Sequence, residues 1–258
     1  MTFLLTDYSR GERIINDQGS LRIARSPYRV RIPLEYNTDL AYLAGYHLGD
    51  GFLSNYHNLR DKGRYELVYA DEYRSQIEET LVPIFNKQFG TQLKINKKKS
   101  NMWTGRINCK IVHMFMHQVL KMPMGRKGTF SIPPWTLQDN HLLKSFISGF
   151  FDAEGSIFIS NGRKANIALT NTNYPVLSQI RTLLAERFGI FFGKIYKKHK
   201  IEVFEMRTSA KDIIMKFCND IGFRHPNKIE KARDCLTLLD AINSRPGKSA
   251  AAKQLAKQ

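Results

Sequence analysis

The sequence predicts an α+β protein in which one helix-β-β-helix-β-β-helix unit occurs twice. Two segments of similar sequence mark the units, LAGYHLGDG at residues 43–51 and ISGFFDAEG at residues 147–155. Each segment is followed by the same order of hairpin and helix patterns. With 258 residues, of which 42% are hydrophobic, the chain is long enough to bury a core beneath two such units.

The first unit opens with a helix that carries small residues four apart and closes on an acid and a glycine. Apolar residues at helical spacing predict its later helices, and Phe89-Gly90 is typical of a helix C-terminus. Its successive elements are a helix ending at Asp50, a hairpin through residues 61–69, a helix ending at Phe89, a basic hairpin over residues 94–110 and a helix near residues 112–121.

The second unit repeats this order. The pair Asn161-Gly162 predicts a tight hairpin turn, and Pro175 suits the first turn of the helix that follows. Its successive elements are a helix ending at Glu154, a hairpin through residues 157–169, a helix ending at Phe188, a basic hairpin over residues 194–211 and a helix near residues 213–221.

Composition divides the chain into five segments. The stretch between the units is rich in proline and glycine, the start is rich in arginine, and the last residues are polar. We predict a basic N-terminal extension at residues 1–38, a first repeat at 39–122, a linker at 123–139, a second repeat at 140–243 and a polar tail at 244–258.

The charge balance indicates the kind of partner. Forty Lys and Arg residues against 23 Asp and Glu give a formal net charge of +17, with a pI near 9.8. Such a surface favours a polyanion, most often nucleic acid. Apolar stretches fall short of the ~18–20 residues of a membrane span, so no membrane partner is expected, and the start lacks the pattern of a secretory signal. Three cysteines without a C-x-x-C pair favour a reducing compartment, so we expect a protein of the cytoplasm or an organelle that is not secreted.

The acids that close the two opening helices carry the chemical argument. Small residues four apart form a notch where a second helix can approach closely. Helices packed notch to notch would bring Asp50 and Glu154 together at helix C-termini, where the helix dipole is already negative. A divalent cation would offset that repulsion, and Mg²⁺ prefers oxygen ligands. One Gly-Asp-Gly alone is usually a turn, but two acids in matching frameworks on a basic chain favour a metal-dependent nuclease.

In these motifs the sequence resembles the single-chain, two-motif LAGLIDADG homing endonucleases, over residues 40–240. The resemblance implies two pseudo-symmetric αββαββα halves, with the signature helices at their interface and antiparallel sheets forming a DNA-binding saddle. It implies Mg²⁺-dependent cleavage of a long, asymmetric double-stranded DNA target by a monomer, with Mn²⁺ or Ca²⁺ able to take the same sites. The metal ligands it implies are the carboxylates of Asp50 and Glu154 and the backbone carbonyls of Gly49 and Ala153.

The resemblance also places a basic residue on the last strand of each half, near the scissile phosphate. Aligning the ends of the two basic hairpins assigns this role to Lys110 and Lys211. A lysine there would polarise the attacking water or offset transition-state charge, whereas the alternative is an ordinary surface lysine. Asp71 and Asn171, at the ends of the second strands, are further candidates for the water network.

Two other features are interpreted as packing. The first motif has Leu48 where the second has Asp152, a position expected to cap or pack rather than bind metal. His113 and His117 are four apart, but they lack the glutamate of a zinc protease helix, so we expect helix-surface or core residues rather than a zinc site.

Strand alternation predicts which side chains face DNA. A mixture of polar and basic residues suits base reading, whereas a uniform lysine stripe would only bind phosphate. The predicted DNA-facing residues are Lys94, Asn96, Lys98, Thr104, Arg106 and Asn108; Lys194, Tyr196, Lys198, Glu205, Arg207 and Ser209; Ser54, Tyr56 and Arg64; and Ser156, Ser160, Arg163 and Asn166.

Three other functions are alternatives to a site-specific DNA endonuclease. The main alternative is an intron-encoded RNA maturase, which would bind intron RNA through the same basic sheets without cleaving it. An intein is disfavoured because the chain starts at Met1 and ends at Gln258, without a terminal nucleophile or a His-Asn end. An aspartic protease is disfavoured because Asp50 and Glu154 lack an adjacent Ser or Thr.

Overall fold

The computed structural model describes residues 14–17, 20–23, 29–55, 57, 63–98, 100–198 and 202–243. A short antiparallel hairpin of β1 (Ile14–Asp17) and β2 (Ser20–Ile23) lies in the predicted N-terminal extension. The predicted polar tail, residues 244–258, falls outside the described residues.

The first half begins with α1 (Thr38–Asp50), whose N-terminus is capped by Asn37. The Asn37 side chain accepts hydrogen bonds from the amides of Asp39 and Leu40, which would otherwise lack partners. The later elements are β3 (Gly51–Leu53), β4 (Glu66–Asp71), a π-helical turn (Gln76–Leu81), α2 (Val82–Phe89), β5 (Lys94–Lys97), β6 (Trp103–Asn108), α3 (Lys110–Met114) and a second π-helical turn (Phe115–Val119).

The second half follows a linker that holds a short 3₁₀ helix (Pro134–Leu137). It begins with α4 (Asn140–Glu154), whose N-terminus is capped by Asp139 in the same way. The later elements are β7 (Gly155–Ser160), β8 (Lys164–Asn171), α5 (Tyr174–Phe188), β9 (Tyr196–Lys197), β10 (Phe204–Thr208), α6 (Lys211–Asp220) and α7 (Pro226–Asn243). The sequence did not predict α7 as a separate helix.

The two larger sheets have the same topology. Their strand orders are β3-β4-β6-β5 and β7-β8-β10-β9, and every neighbouring pair is antiparallel. In each half the helix between the two hairpins ends at a left-handed glycine, Gly90 with φ 64° and Gly189 with φ 62°. The predicted α+β fold with two αββαββα halves is confirmed.

The halves meet along α1 and α4, at the predicted notches. A Cβ atom on Gly45 would overlap the carbonyl oxygen of Phe146, and one on Gly149 would overlap that of Tyr42. Only glycine allows the two backbones to approach this closely. The contact extends to the helix ends, where a Cβ on Gly49 would overlap that of Ala153.

Large aromatic side chains fill the core on both sides of this helix pair. Tyr42, Tyr46, Phe146, Phe150 and Phe151 are each fully buried. The core therefore holds α1 and α4, the two signature helices, rigidly in place. The residues at their ends are fixed with them. Within the described part of the chain, no helix is both long and apolar enough to cross a membrane.

Candidate active site

Two acids lie at the point where the helix pair meets the sheets. Asp50 is the last residue of α1 and Glu154 the last residue of α4, and each is followed directly by the first strand of its sheet. The Glu154 carboxylate reaches across to the other helix: its Oε1 lies 3.5 Å from the position of a Cβ on Gly49. The predicted convergence of the two acids is present.

The electrostatics of this junction oppose two ionised acids. Burial raises the pKa of Asp50 to about 7, and the negative charges of Glu154 and Asp71 add to the effect. Burial also raises the pKa of Glu154, although Lys127, Lys228 and a hydrogen bond from Asn171 act in the opposite direction. Added positive charge at this point would therefore stabilise the ionised pair.

Two lysines lie beside the acids, one at the end of each signature helix. Lys127 Nζ donates to the carbonyl of Leu48 at 3.1 Å and to the carbonyl of Gly49. Lys228 Nζ donates to the carbonyls of Phe151 at 2.8 Å, Asp152 at 2.5 Å and Gly155 at 2.7 Å. The ammonium groups thus bind carbonyls where the helices end and donors within the helix run out; the Phe151 carbonyl also accepts from the Gly155 amide, and the Gly155 carbonyl belongs to β7.

Burial lowers the pKa of Lys127 to about 8, and it also lowers the pKa of Lys228. Asp50 and Glu154 act on both lysines in the opposite direction, so acids and lysines form one electrostatic group. Two carboxylates and two ammonium groups lie close enough to set one another's protonation.

These are not the lysines that the sequence predicted beside the acids. Lys110 and Lys211 do not lie on last strands: they begin α3 and α6, because β6 ends at Asn108 and β10 at Thr208. Lys110 Nζ lies 5.1 Å from the centre of the Tyr65 ring, and Lys211 Nζ donates to the Leu239 carbonyl at 2.9 Å. The predicted placement of Lys110 and Lys211 was wrong.

One signal in the sequence could have identified the lysines that contact the helix ends. Lys127 and Lys228 each follow the aligned lysine of their own half, Lys110 or Lys211, by 17 residues. They were missed because the sequence around Lys127 has the composition of a linker, while that around Lys228 has the pattern of a helix.

The oxygen donors at the junction suit a hard divalent cation. Asp50 and Glu154 offer carboxylates, and Gly49 and Ala153 offer the preceding backbone carbonyls. The Gly49 carbonyl already accepts a hydrogen bond from a positive group, Lys127. Among the described residues, no three His, Cys, Asp or Glu side chains are grouped for a metal, so a cation here would depend on two carboxylates and backbone oxygens.

A cleft of about 320 Å³ opens beside the acids. Asp71 lines it, accepting hydrogen bonds from the Tyr46 hydroxyl at 2.6 Å and the Tyr73 amide at 2.7 Å, with His225 Nε2 at 3.4 Å. Its counterpart Asn171 accepts a hydrogen bond from the Asn173 amide at 2.8 Å. Both second-strand candidates therefore lie near the acids, and His225 is a further cleft residue that the sequence did not single out.

Asp152 is almost fully buried and binds the segment that leads into α7. Its Oδ2 accepts hydrogen bonds from the Tyr42 hydroxyl at 2.6 Å and from the amides of Arg224 at 2.8 Å and His225 at 2.9 Å. This is the packing role predicted for that position, and it fixes the helix that carries Lys228.

The paired histidines bond to backbone. His113 is buried with its Nε2 2.9 Å from the Ser54 carbonyl, and His117 Nδ1 lies 2.8 Å from the Met122 carbonyl. Burial lowers the pKa of His113 to about 4, so it is neutral at pH 7.

In both sheets, the polar side chains that were predicted to share a face do so. In the first sheet Lys94 pairs with Arg106 and Asn96 with Thr104, so all four lie on one face. In the second sheet Tyr196 pairs with Glu205, and Arg207 pairs with Ala168, which also pairs with Ser156. Most of the predicted DNA-facing residues keep exposed surface: Lys94, Asn96, Lys98, Arg106, Asn108, Lys194, Tyr196, Lys198, Arg207, Ser209, Arg64, Ser156, Ser160 and Arg163.

Four predicted DNA-facing residues are buried instead. Ser54 donates to the Arg64 carbonyl, Thr104 to the Asn96 carbonyl, and Asn166 to Ser160 and the Lys164 carbonyl. Glu205 is enclosed by neighbouring cations. Alternation predicts which face a side chain is on but not its depth, so these four were wrong as surface contacts; Tyr56 falls outside the described residues.

The chain is similar in sequence or in fold to several known proteins. A LAGLIDADG-like domain matches residues 142–222. Structures of mesophilic variants of the homing endonuclease I-DmoI are 22% identical with a TM-score of 0.54, covering 72% of this chain and 95% of that one. Further I-DmoI structures were determined in complex with DNA and Mn, or with target DNA in the presence of Mg.

Other neighbours extend the comparison. The LAGLIDADG homing endonuclease I-LtrWI bound to target DNA is 10% identical with a TM-score of 0.53, covering 85% of this chain and 96% of that one. Full-length DUF199/WhiA from Thermatoga maritima is 15% identical with a TM-score of 0.55, covering 88% and 68%. The fold is thus shared with a protein that is not described as an endonuclease.

A curated relative is the glutamine--fructose-6-phosphate aminotransferase [isomerizing] of Methanocaldococcus jannaschii. It is 27% identical over 221 residues, which are 84% of this chain but 19% of that protein. The chain therefore spans about a fifth of the length of that relative.

Proposed function

Since the chain has the fold of the LAGLIDADG homing endonucleases, as its two motifs predicted, and carries a LAGLIDADG-like domain at residues 142–222, we propose that it is a site-specific double-strand DNA endonuclease dependent on divalent metal ions. The observation that carries the proposal is the meeting of Asp50 and Glu154 at the ends of two packed helices. Fold alone does not decide activity, so the assignment of an activity depends on the residues of this site.

In this proposal the phosphodiester lies across the junction of the two sheets. Asp50, Glu154 and the carbonyls of Gly49 and Ala153 would hold Mg²⁺. Bound Mg²⁺ would supply Lewis acidity toward the phosphate oxygens and lower the pKa of the attacking water. Water adds to phosphorus as the phosphorus–oxygen bond to the leaving strand breaks.

The side chains of this protein would orient and stabilise that reaction. Lys127 and Lys228, held on the helix-terminal carbonyls, place positive charge beside the acids, where it would offset the charge that develops on the phosphate. Asp71 and Asn171, at the ends of β4 and β8, would accept hydrogen bonds from ordered water in the cleft.

The test needs a target, which selection can supply. Duplexes bound by the full chain would be enriched from a randomised pool in EDTA, cloned into a plasmid and incubated with Mg²⁺. Cleavage of both strands at one site is expected for the wild type. Asp50→Asn and Glu154→Gln should each slow cleavage about 100-fold or more while still binding the selected duplex, because a lost metal ligand costs at least as much as a lost outer-shell partner.

The control is Glu186→Gln, an exposed acid on α5, which should cleave at the wild-type rate. Full activity in either acid variant would overturn the metal assignment. Failure to enrich any duplex, together with binding of an intron-derived RNA, would favour the maturase alternative.

A further inference from the structure

A buried carboxylate lies within the polar face of the second sheet. Glu205, on β10, is 2% exposed although the face around it carries exposed cations. An ionised group is buried only where its charge is compensated. The cations around Glu205 supply that compensation.

The surroundings of Glu205 saturate both of its oxygens. Oε1 accepts from Arg207 Nε at 3.0 Å and Nη2 at 2.6 Å, and from the Tyr196 hydroxyl. Oε2 accepts from Lys198 Nζ at 2.6 Å and from Thr170 Oγ1 at 3.2 Å. Glu205 thus has no free acceptor for a DNA base, and burial keeps it from reaching one.

The charge state of Glu205 agrees with this arrangement. Burial alone would raise its pKa, but hydrogen bonds from Lys198, Tyr196 and Arg207 outweigh burial and lower the pKa to about 2. Glu205 is therefore ionised at neutral pH.

The arrangement fixes Arg207 in two directions. One edge of its guanidinium is bound to Glu205, and its face lies over the Phe158 ring at 5.5 Å. The Arg207 side chain is still 43% exposed. Arginine carries five donors in a planar fork, so donors remain on the outer edge, where guanine offers two acceptors in the major groove.

We propose that Glu205 is a positioning residue that presents Arg207 to one guanine in the part of the target read by the second sheet. The inference rests on the proposed DNA-binding function and adds a specificity determinant to it. A mobile arginine would lose rotamer freedom on contact with DNA, whereas this guanidinium is already held before DNA binds. Holding it in advance sharpens discrimination against other bases.

Among the described residues, the first sheet has no equivalent buried carboxylate beside its arginine. Arg106 holds the position equivalent to Arg207. Its partner Glu66 lies 3.3 Å away, and the Glu66 side chain is 27% exposed. Thr104 stands where the second sheet has Glu205. A freer Arg106 should discriminate less between bases. The two halves would therefore read their parts of the target with unequal stringency.

The experiment is selection from a randomised duplex pool in EDTA, comparing the wild type with Glu205→Gln, Arg207→Met and the double variant. The wild type should enrich one G·C pair that both single variants lose, each by about tenfold in preference at that position, since a bidentate arginine–guanine contact has this order of discrimination. The double variant should lose no more than Arg207→Met, because the two residues act as a unit. Glu202→Gln, a 90% exposed glutamate in the same hairpin, is the control and should keep the preference.

A second readout needs no DNA. The Nε–H of Arg207 should exchange slowly in NMR spectra of the wild type and rapidly in Glu205→Gln. If Glu205→Gln fails to fold, Glu205→Asp, which keeps the charge, should keep part of the preference and of the protection.

The outcomes separate the two proposals. A selected duplex whose preferences are unchanged in Glu205→Gln would overturn the positioning role and leave the endonuclease proposal standing. Rapid Arg207 exchange in the wild type would also overturn it. Failure to enrich any duplex would count against sequence-specific DNA binding itself, and the specificity role would be lost with it.

Discussion

Each signature helix ends on a residue whose charge has the wrong sign for its position. Asp50 and Glu154 add negative charge where α1 and α4 already present unpaired carbonyl oxygens. Lys127 and Lys228 compensate at those same carbonyls. Acids and lysines therefore alternate around the site. The acids favour binding of an additional cation, and the lysines favour binding of an anionic substrate.

Replacing Lys228 by Met tests the lysine assignment. Lys228→Met keeps the length of a buried side chain but removes its ammonium, so the single-turnover cleavage rate should fall about 10²–10³-fold, as for a lost transition-state donor, while duplex binding changes little. Lys216→Met, a charge-matched change on α6, should leave the rate unchanged. An equal fall in both variants would show a general charge effect instead.

The acids and the lysines differ in how far sequence could predict them. Asp50 and Glu154 were predictable because each closes a repeated motif, so that two weak signals supported each other. Lys127 and Lys228 contact backbone carbonyls distant in sequence, and the residues flanking them share no pattern. Which lysine folds back onto a helix end is decided by tertiary structure, which local sequence does not contain.

Acid should remove the stabilisation that Glu205 provides. Its pKa is lowered from 4.5 to about 2, so this contribution is present above pH ~4.5 and is lost as the pH falls toward 2. Urea unfolding between pH 7 and pH 2 should show this loss in the wild type. Glu205→Gln should be less stable at pH 7 and lack that part of the pH dependence; parallel curves for the two proteins would contradict the assignment.

At the scale of elements, close contact between α1 and α4 positions everything else. The notches of small residues predicted it, and strand alternation correctly predicted the shared faces of the sheets. Depth was not predictable, because the burial of Thr104 and Asn166 depends on neighbouring strands and helices. The role of α7 was also missed: Lys228 on this helix reaches the carbonyls at the end of α4, a contact between distant segments.

Enlarging a glycine in the helix contact should weaken the whole molecule. Gly149→Val would force its side chain into the Tyr42 carbonyl, and overpacking of this kind costs about 1–3 kcal/mol, occasionally more. Thermal unfolding should show a lower Tm. Gly128→Ala is the control, because nothing lies within 4 Å of its added Cβ; a similar Tm for Gly149→Val and the wild type would contradict the packing described.

At the scale of the whole molecule, the cations behind the net charge of +17 have different partners. Two lysines serve the acids, Lys198 and Arg207 neutralise Glu205, and other exposed cations lie on the polar faces of the sheets. Binding to a duplex should therefore weaken steeply with salt, through release of counterions from the phosphates.

Single substitutions can locate the charges that contact phosphate. Lys94→Gln, on the polar face of the first sheet, should reduce the slope of log K against log salt by about 1. Lys87→Gln, on α2 and 73% exposed, changes the net charge equally but should leave the slope unaltered. Equal slopes for the two variants would mean that charge acts over the whole surface and not from this face.

The lysine at the end of α1 comes from the linker that follows the first half, whereas the lysine at the end of α4 comes from α7, the last helix of the second half. This arrangement decides where the junction must lie when halves are exchanged between related proteins. A chimera joined before Lys127 would combine the acid of one parent with the lysine of the other, whereas a junction after Lys127 and before α4 would keep the acid and the lysine of each half from one parent.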